Sequence, residues 1–230
     1  MSRKLWIPSP FRHPRGNYPL DMIVVHHIGS KNGKLYGVGG TITWFTDEEV
    51  HRNPKTGKIE NKVSAHYIIP REPYKEYDII ECAKPVDIAY HAGYSSWTVN
   101  GKQRKYINNY SVGIELAGDG NLVEYTDYQY EHLIELSRNL VQNYNIPTDN
   151  IVGHEDISPG RKVDPGETFD WKRYRTGINP PKVFTMPEAT IKADKTEEEE
   201  IFMESGENTA GKRTTVVDLL MKFLRKILSQ

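Results

Sequence analysis

Four consecutive apolar residues, Met22-Ile-Val-Val25, run straight into two imidazoles, His26 and His27. A run that short and that rich in β-branched side chains suits a buried strand, and a buried strand obliges the chain to build a sheet around it. Other segments can supply that sheet. His66-Tyr-Ile-Ile69 and Ser111-Val-Gly-Ile-Glu-Leu116 read as strands, and Ile151-Val152 as a strand end. Thr41 to Val50 reads as a helix carrying Ile42, Trp44 and Phe45. A longer helix, capped by Thr126 or Asp127 and running to about Tyr144, gathers Tyr130, Leu133, Ile134, Leu140 and Val141 on one stripe. The order strand, helix, strands, helix, strand predicts an α/β fold with helices layered on one central sheet.

The 230 residues suffice for one ordinary domain with appendages. Residues 1–20, rich in Pro, Arg and aromatics, read as an extended N-terminal lead-in, and residues 21–181 as the folded domain. Residues 182–213 include Lys192-Ala-Asp-Lys-Thr-Glu-Glu-Glu-Glu200 and read as a polar acidic linker, too poor in apolar surface to offset the entropy of ordering. Over 214–230, Val216, Leu219, Leu220, Phe223, Leu224, Ile227 and Leu228 recur at helical spacing, with Lys222, Arg225 and Lys226 outnumbering Asp218. Such a basic amphipathic helix suits contact with a membrane or envelope surface, or docking on its own domain. The formal net charge of −1 gives no global attraction to nucleic acid, so no nucleic-acid partner is expected. The single cysteine, Cys82, excludes an intrachain disulfide. The first residues carry two charges with no apolar stretch behind them, and no segment approaches the roughly 20 apolar residues that span a bilayer. The expectation is a monomer made in the cytoplasm without a signal peptide.

Residues able to bind metal or move protons cluster where strands end. His26 and His27 follow the first strand, Glu115 is embedded in an apolar strand, and Val152-Gly-His154 leads through Ser158-Pro-Gly160 to Lys162 and Asp164. A catalytic zinc takes three protein ligands and keeps a fourth position for water. His154 and Asp164 could converge across the intervening loop, and His26 is the best third ligand on offer; two imidazoles and a carboxylate would leave the metal able to activate water and polarise a carbonyl. Blander readings stand beside this one. A histidine after a strand is commonly an ordinary polar residue, strand alternation could turn Glu115 to solvent, and Asp156 to Asp164 has the composition of a plain turn.

A resemblance narrows these alternatives. Val24-Val-His-His-Ile-Gly29, Val63-Ser-Ala-His-Tyr-Ile-Ile69, Tyr90-His-Ala-Gly93, Asn109 to Gly118, Ile151 to Gly166 and Phe169-Asp-Trp171 together resemble the type 2 N-acetylmuramoyl-L-alanine amidases. Their AmpD-like branch is the nearest in pattern, and the fold is shared with phage amidase endolysins and peptidoglycan recognition proteins. The ordered match spans roughly residues 20 to 176. It implies a central mixed β-sheet flanked by helices, one zinc ion held by His26, His154 and Asp164, Glu115 as the catalytic carboxylate, and Lys162 as stabiliser of the reacting carbonyl oxygen. The activity implied is hydrolysis of the amide between N-acetylmuramic acid and L-alanine in peptidoglycan or muropeptides. His27, His91, Asn108 and Arg161 are candidate substrate contacts; His66 is expected to pack or to back the ligands, Glu155 and Asp156 to order the ligand loop, and Cys82 to be inert. The tail favours a role in cell-wall lysis, as in an endolysin or autolysin. The alternatives are a cytosolic recycling amidase for anhydro-muropeptides, a non-catalytic peptidoglycan-binding module, or a different zinc hydrolase on the same scaffold.

Overall fold

Six strands make the central sheet: β1 (Lys4–Trp6), β2 (Met22–His27), β3 (Tyr67–Ile69), β4 (Ile79–Glu81), β5 (Ser111–Leu116) and β6 (Ile151–Gly153). They lie in the order β1-β4-β3-β5-β2-β6. Neighbours pair in parallel except β3 and β4, which are antiparallel, so the sheet is mixed as expected. The computed structural model describes residues 1–179. The expected linker over 182–213 and helix over 214–230 lie outside the described residues, as does the expected domain end at 181. Among the described residues no helix is long and apolar enough to cross a membrane.

Alternation divides each strand between two covered faces. On one, Ile23 and Val25 of β2 and Val112, Ile114 and Leu116 of β5 meet Leu133, Leu136 and Leu140 of α2 (Asp127–Tyr144), the second helix of the chain. On the other, Met22 and Val24 pack with Ala92, Ile107, Val152 and Ile157. Farther along that second face, Ile68 and Ile80 meet Ile42 and Phe45 of α1 (Val38–Thr46), together with Cys82. Among the described residues two further α-helices follow, α3 (His154–Ile157) and α4 (Trp171–Ile178), and α4 places Tyr174 and Ile178 against α2. Because both faces are buried, Met22 to Val25 must be apolar at every position. Full burial of a Val, Leu or Ile side chain contributes about 1.5–3 kcal/mol, so these layers are the main stabilising element.

The α2 boundaries follow local chemistry. Thr126 and Gln129 form a reciprocal capping box, and Asn145, at a φ of 54°, ends the helix in the left-handed region. The first helix departs from expectation. It starts at Val38 rather than Thr41 and stops at Thr46, with Glu49–His51 as a separate 3-10 turn. Gly39 and Gly40 disfavour a helix start, but the burial of Ile42 and Phe45 outweighs that propensity.

The lead-in is extended, yet it belongs to the sheet rather than standing before the domain. β1 pairs with β4, and Asp78 accepts from the Arg3 amide at 2.7 Å and from the Tyr128 hydroxyl at 2.9 Å. Arg12–Pro14 pairs with Asp87–Ala89. Arg15 is buried and donates to the backbone carbonyls of Pro85, Asp87, Asn109 and Ser111, bracing the chain beneath the site. Burial pulls its guanidinium down to about 10, against the opposing charge of Asp87, and it stays charged at neutral pH.

Candidate active site

Register does the first part of the assembly. His26 has the parity of Met22 and Val24, and Glu115 that of Ser111 and Gly113, so both project from the face opposite α2. They are direct partners across the β2–β5 pairing. Glu115 therefore does not turn to solvent; it is 8% exposed.

The other half comes from the segment after β6. His154 opens α3, whose first turn is tied back by the Asp156 carboxylate accepting from the Gly153 amide at 2.7 Å. The Glu155 amide donates to the Asp164 carbonyl at 2.9 Å, returning the loop so that Asp164 faces His154. Glu155 and Asp156 thus order this loop. The result is a triangle with nearly equal sides: His26 Nδ1 to Asp164 Oδ2 is 2.9 Å, His26 Nδ1 to His154 Nδ1 is 3.0 Å, and His154 Nδ1 to Asp164 Oδ2 is 3.0 Å. Among the described residues this is the group of three that could hold a metal ion. Ligand atoms on a tetrahedral zinc, with bonds of roughly 2.0–2.2 Å, stand about 3.3 Å apart, so the donor set and its spacing fit such an ion.

Electrostatics agree with that use. Burial, reinforced by His154, pulls His26 down to about 4 and keeps its imidazole neutral, as a ligand must be. Burial works against ionising Asp164, but the close approach of the His154 and His26 rings outweighs it and holds the carboxyl well below the usual range. Glu115 is shifted the opposite way. Burial, and then the negative charge of Asp164, push it well above an ordinary carboxylate, with Lys162 partly opposing. Its Oε2 has no hydrogen-bond partner. A carboxyl that holds a proton this firmly, with one oxygen free, can accept a proton and release it again.

Two cavities flank the triangle. One, of about 550 Å³, is lined by His27, Tyr36, Trp44, Phe45, Val63 and Glu115; the other, of about 480 Å³, by Lys62, Val63, Tyr94, Tyr106, His154 and Lys162. Val63 lines both, so the two cavities, taken as two arms of the site, adjoin at that residue. His27 lines the first arm while its Nδ1 accepts from the Gly120 amide at 3.1 Å. Lys162 lines the second, and its charge acts on both His26 and Glu115. His91, Asn108 and Arg161 border the second arm too, but each has polar atoms bonded to the protein. Asn108 Oδ1 accepts from the His91 and Ala92 amides, Arg161 donates to the Ala92 and Tyr94 carbonyls, and His91 lies between His26 and Ser111. His66 backs the site, its Nδ1 accepting from the Gly113 amide at 3.1 Å. The aromatic lining from Tyr36, Trp44, Tyr94 and Tyr106 went unforeseen. The nearness of these aromatics in sequence to the site motifs was its only trace.

Three side chains that could hold a metal ion, beside a buried carboxyl and two adjoining cavities, are the parts that metal-assisted hydrolysis of a carbonyl compound would need. Comparison with known proteins identifies an amidase family. Residues 16–167 match the family model described as N-acetylmuramoyl-L-alanine amidase, and the chain belongs to that family. It is 36% identical over 182 residues to the 1,6-anhydro-N-acetylmuramyl-L-alanine amidase AmpD of Salmonella typhimurium, spanning 75% of this chain and 91% of that one. Among solved structures, a selenomethionine AmpD derivative superposes with a TM-score of 0.60 at 33% identity, covering 76% of this chain and 93% of the other. AmiD of E. coli, in complex with the substrate anhydro-N-acetylmuramic acid-L-Ala-D-gamma-Glu-L-Lys, gives a TM-score of 0.53 at 25% identity, covering 72% and 60%.

Proposed function

We propose that this amidase is a zinc enzyme that hydrolyses the amide between anhydro-N-acetylmuramic acid and L-alanine in soluble muropeptides. The observation that carries the reading is the near-equilateral triangle of His26, His154 and Asp164 set beside the buried, unpartnered Glu115. The anhydro form of the substrate is supported by the 1,6-anhydro-N-acetylmuramyl-L-alanine amidases that this chain matches over nine-tenths of their length. The lytic role rests on the tail, which lies outside the described residues.

His26, His154 and Asp164 would hold the zinc, which when bound supplies Lewis acidity toward the amide carbonyl and the attacking water. Glu115 takes a proton from that water as its oxygen bonds to the carbonyl carbon. The same carboxyl then delivers the proton to the alanine nitrogen as the carbon–nitrogen bond breaks, leaving a carboxylic acid on the lactyl group, which keeps the water's second hydrogen until it ionises into solvent, and a free amine on the peptide. The Lys162 ammonium faces the negative charge that develops on the carbonyl oxygen; removing one such donor typically costs about 10²–10³ in kcat. His27 and the aromatic walls orient the two ends of the substrate along the cleft.

The test is a direct comparison of soluble anhydro-muropeptides with intact sacculi as substrates for the full chain. Rapid release of peptide from the soluble substrate and little from sacculi is the expected result; the reverse would replace recycling with wall lysis. Glu115→Gln should abolish turnover while zinc stoichiometry stays at one. Asp164→Ala should lose both, and full zinc occupancy in that variant would refute the ligand set.

A further inference from the structure

His91 is buried at 7% exposure, and both of its nitrogens are engaged: Nδ1 lies 2.9 Å from His26 Nε2, and Nε2 lies 3.2 Å from Ser111 Oγ. The direction of these bonds follows from the far end. The Ser111 hydroxyl has one hydrogen, used on the Ile107 carbonyl at 2.7 Å. Ser111 Oγ is therefore the acceptor for His91, whose Nε2 carries the hydrogen. Neither His91 nitrogen meets a carboxylate among the described hydrogen bonds, and a neutral imidazole with hydrogen on Nε2 has Nδ1 as an acceptor. The hydrogen between the two rings then belongs to His26 Nε2. The His26 lone pair is left on Nδ1, the atom that faces His154 and Asp164.

The neighbouring residue does the same for the second imidazole. His154 Nε2 lies 3.3 Å from the Ala92 carbonyl, which can only accept, so the His154 lone pair also falls on Nδ1. This two-residue segment is itself held from both sides. Asn108 Oδ1 accepts from the His91 amide at 3.1 Å and the Ala92 amide at 2.7 Å, while Arg161 Nη2 donates to the Ala92 carbonyl at 3.0 Å and the Tyr94 carbonyl at 2.7 Å. Gly113 makes the room, because a Cβ there would collide with the His91 ring.

We infer that the His91–Ala92 segment, pinned by Asn108 and Arg161, is a positioning element that presents the Nδ1 lone pairs of His26 and His154 together, with His91 acting on His26 through its ring. The inference rests on the metal reading of the triangle. It gives His91, Asn108 and Arg161 a role other than substrate contact, since the polar atoms named here are already engaged by the protein. Partners that orient a ligand imidazole are typically worth about 10–100-fold in metal affinity.

Two substitutions separate the ring's acceptor from its bulk. His91→Phe keeps a ring over Gly113 and removes the acceptor; His91→Gln keeps an acceptor. In the metal-free full chain, nitrogen–proton correlation of the imidazoles should find His26 with its hydrogen on Nε2, and that signature should be lost in H91F. Zinc competition against a chromophoric chelator should weaken about 10–100-fold in H91F and recover toward wild type in H91Q, while KM at zinc saturation stays unchanged. Hydrogen on Nδ1 of His26 in the wild type overturns the inference without any variant. Wild-type zinc affinity in H91F, or a change confined to KM, overturns it as well. If the wild type binds no zinc but keeps the tautomer pattern, the metal reading of the triangle falls and the positioning of His26 by His91 stands.

Discussion

Glu115 carries a cost in the metal-free protein that its chemistry requires. Burial and the neighbouring Asp164 raise its carboxyl well above the ordinary range, so the native state keeps a proton that the unfolded chain releases near about pH 4.3. Between the unfolded and folded values the native state binds more protons, and stability must therefore fall as pH rises through that interval. Glu115→Gln removes the titration. Metal-free E115Q should thus gain stability over metal-free wild type as pH is raised from 4.5 to 8, read from urea unfolding midpoints. A difference that stays constant with pH would mean that the side chain is not buried as described. Cys82 differs in kind: burial pushes its thiol up to about 12, and nothing in the site touches it, in keeping with an inert packing residue.

At the scale of elements, the β1–β4 edge is fastened by the Asp78 carboxylate. Burial opposes ionisation of Asp78, but the Arg3 amide and guanidinium and the Tyr128 hydroxyl outweigh it and hold the carboxyl down to about 2. A depressed carboxyl contributes stability that is present above its unfolded value and lost as pH falls through the folded one, here from about 4 down to about 2. Asp78→Asn should cost about 1–3 kcal/mol at neutral pH and flatten the acid limb of the stability curve over that window. An acid limb identical to wild type would assign the sensitivity elsewhere. The same edge marks the limit of what the sequence discloses. Strands β2 and β5 are legible because each is long enough to stand out as an apolar run, and helix α2 because it is long enough to carry a period and a cap. Strands β1 and β4 have three residues apiece, too few for any period to emerge, and are made strands by their partners. The hairpin of Ser96–Val99 and Lys102–Lys105 had a readable signal in Asn100-Gly101, whose positive φ values suit its tight turn, but its strands are too polar to be found by hydrophobicity. At the site, residue types point to His26, Glu115, His154 and Asp164, because few side chains can do that chemistry. The engagement of His91, Asn108 and Arg161 with the backbone around Ala92 is invisible in sequence, since it depends on distant segments returning to the same place.

For the molecule as a whole, the placement of His26 and Glu115 side by side on β2 and β5 has a consequence for how activity is lost. These strands are inner members of the sheet, and their alternate side chains form the packed layers on both faces. Enzymes whose working groups sit on outer loops can fall silent by local fraying long before they denature. Here the seam that aligns the proton carrier with a ligand imidazole is the same seam that keeps water out of the interior. Residual activity and far-ultraviolet ellipticity, followed on heating the zinc-loaded protein, should decline along a single curve; an inactive species that keeps its ellipticity would locate a weaker joint in the segment from His154 to Asp164.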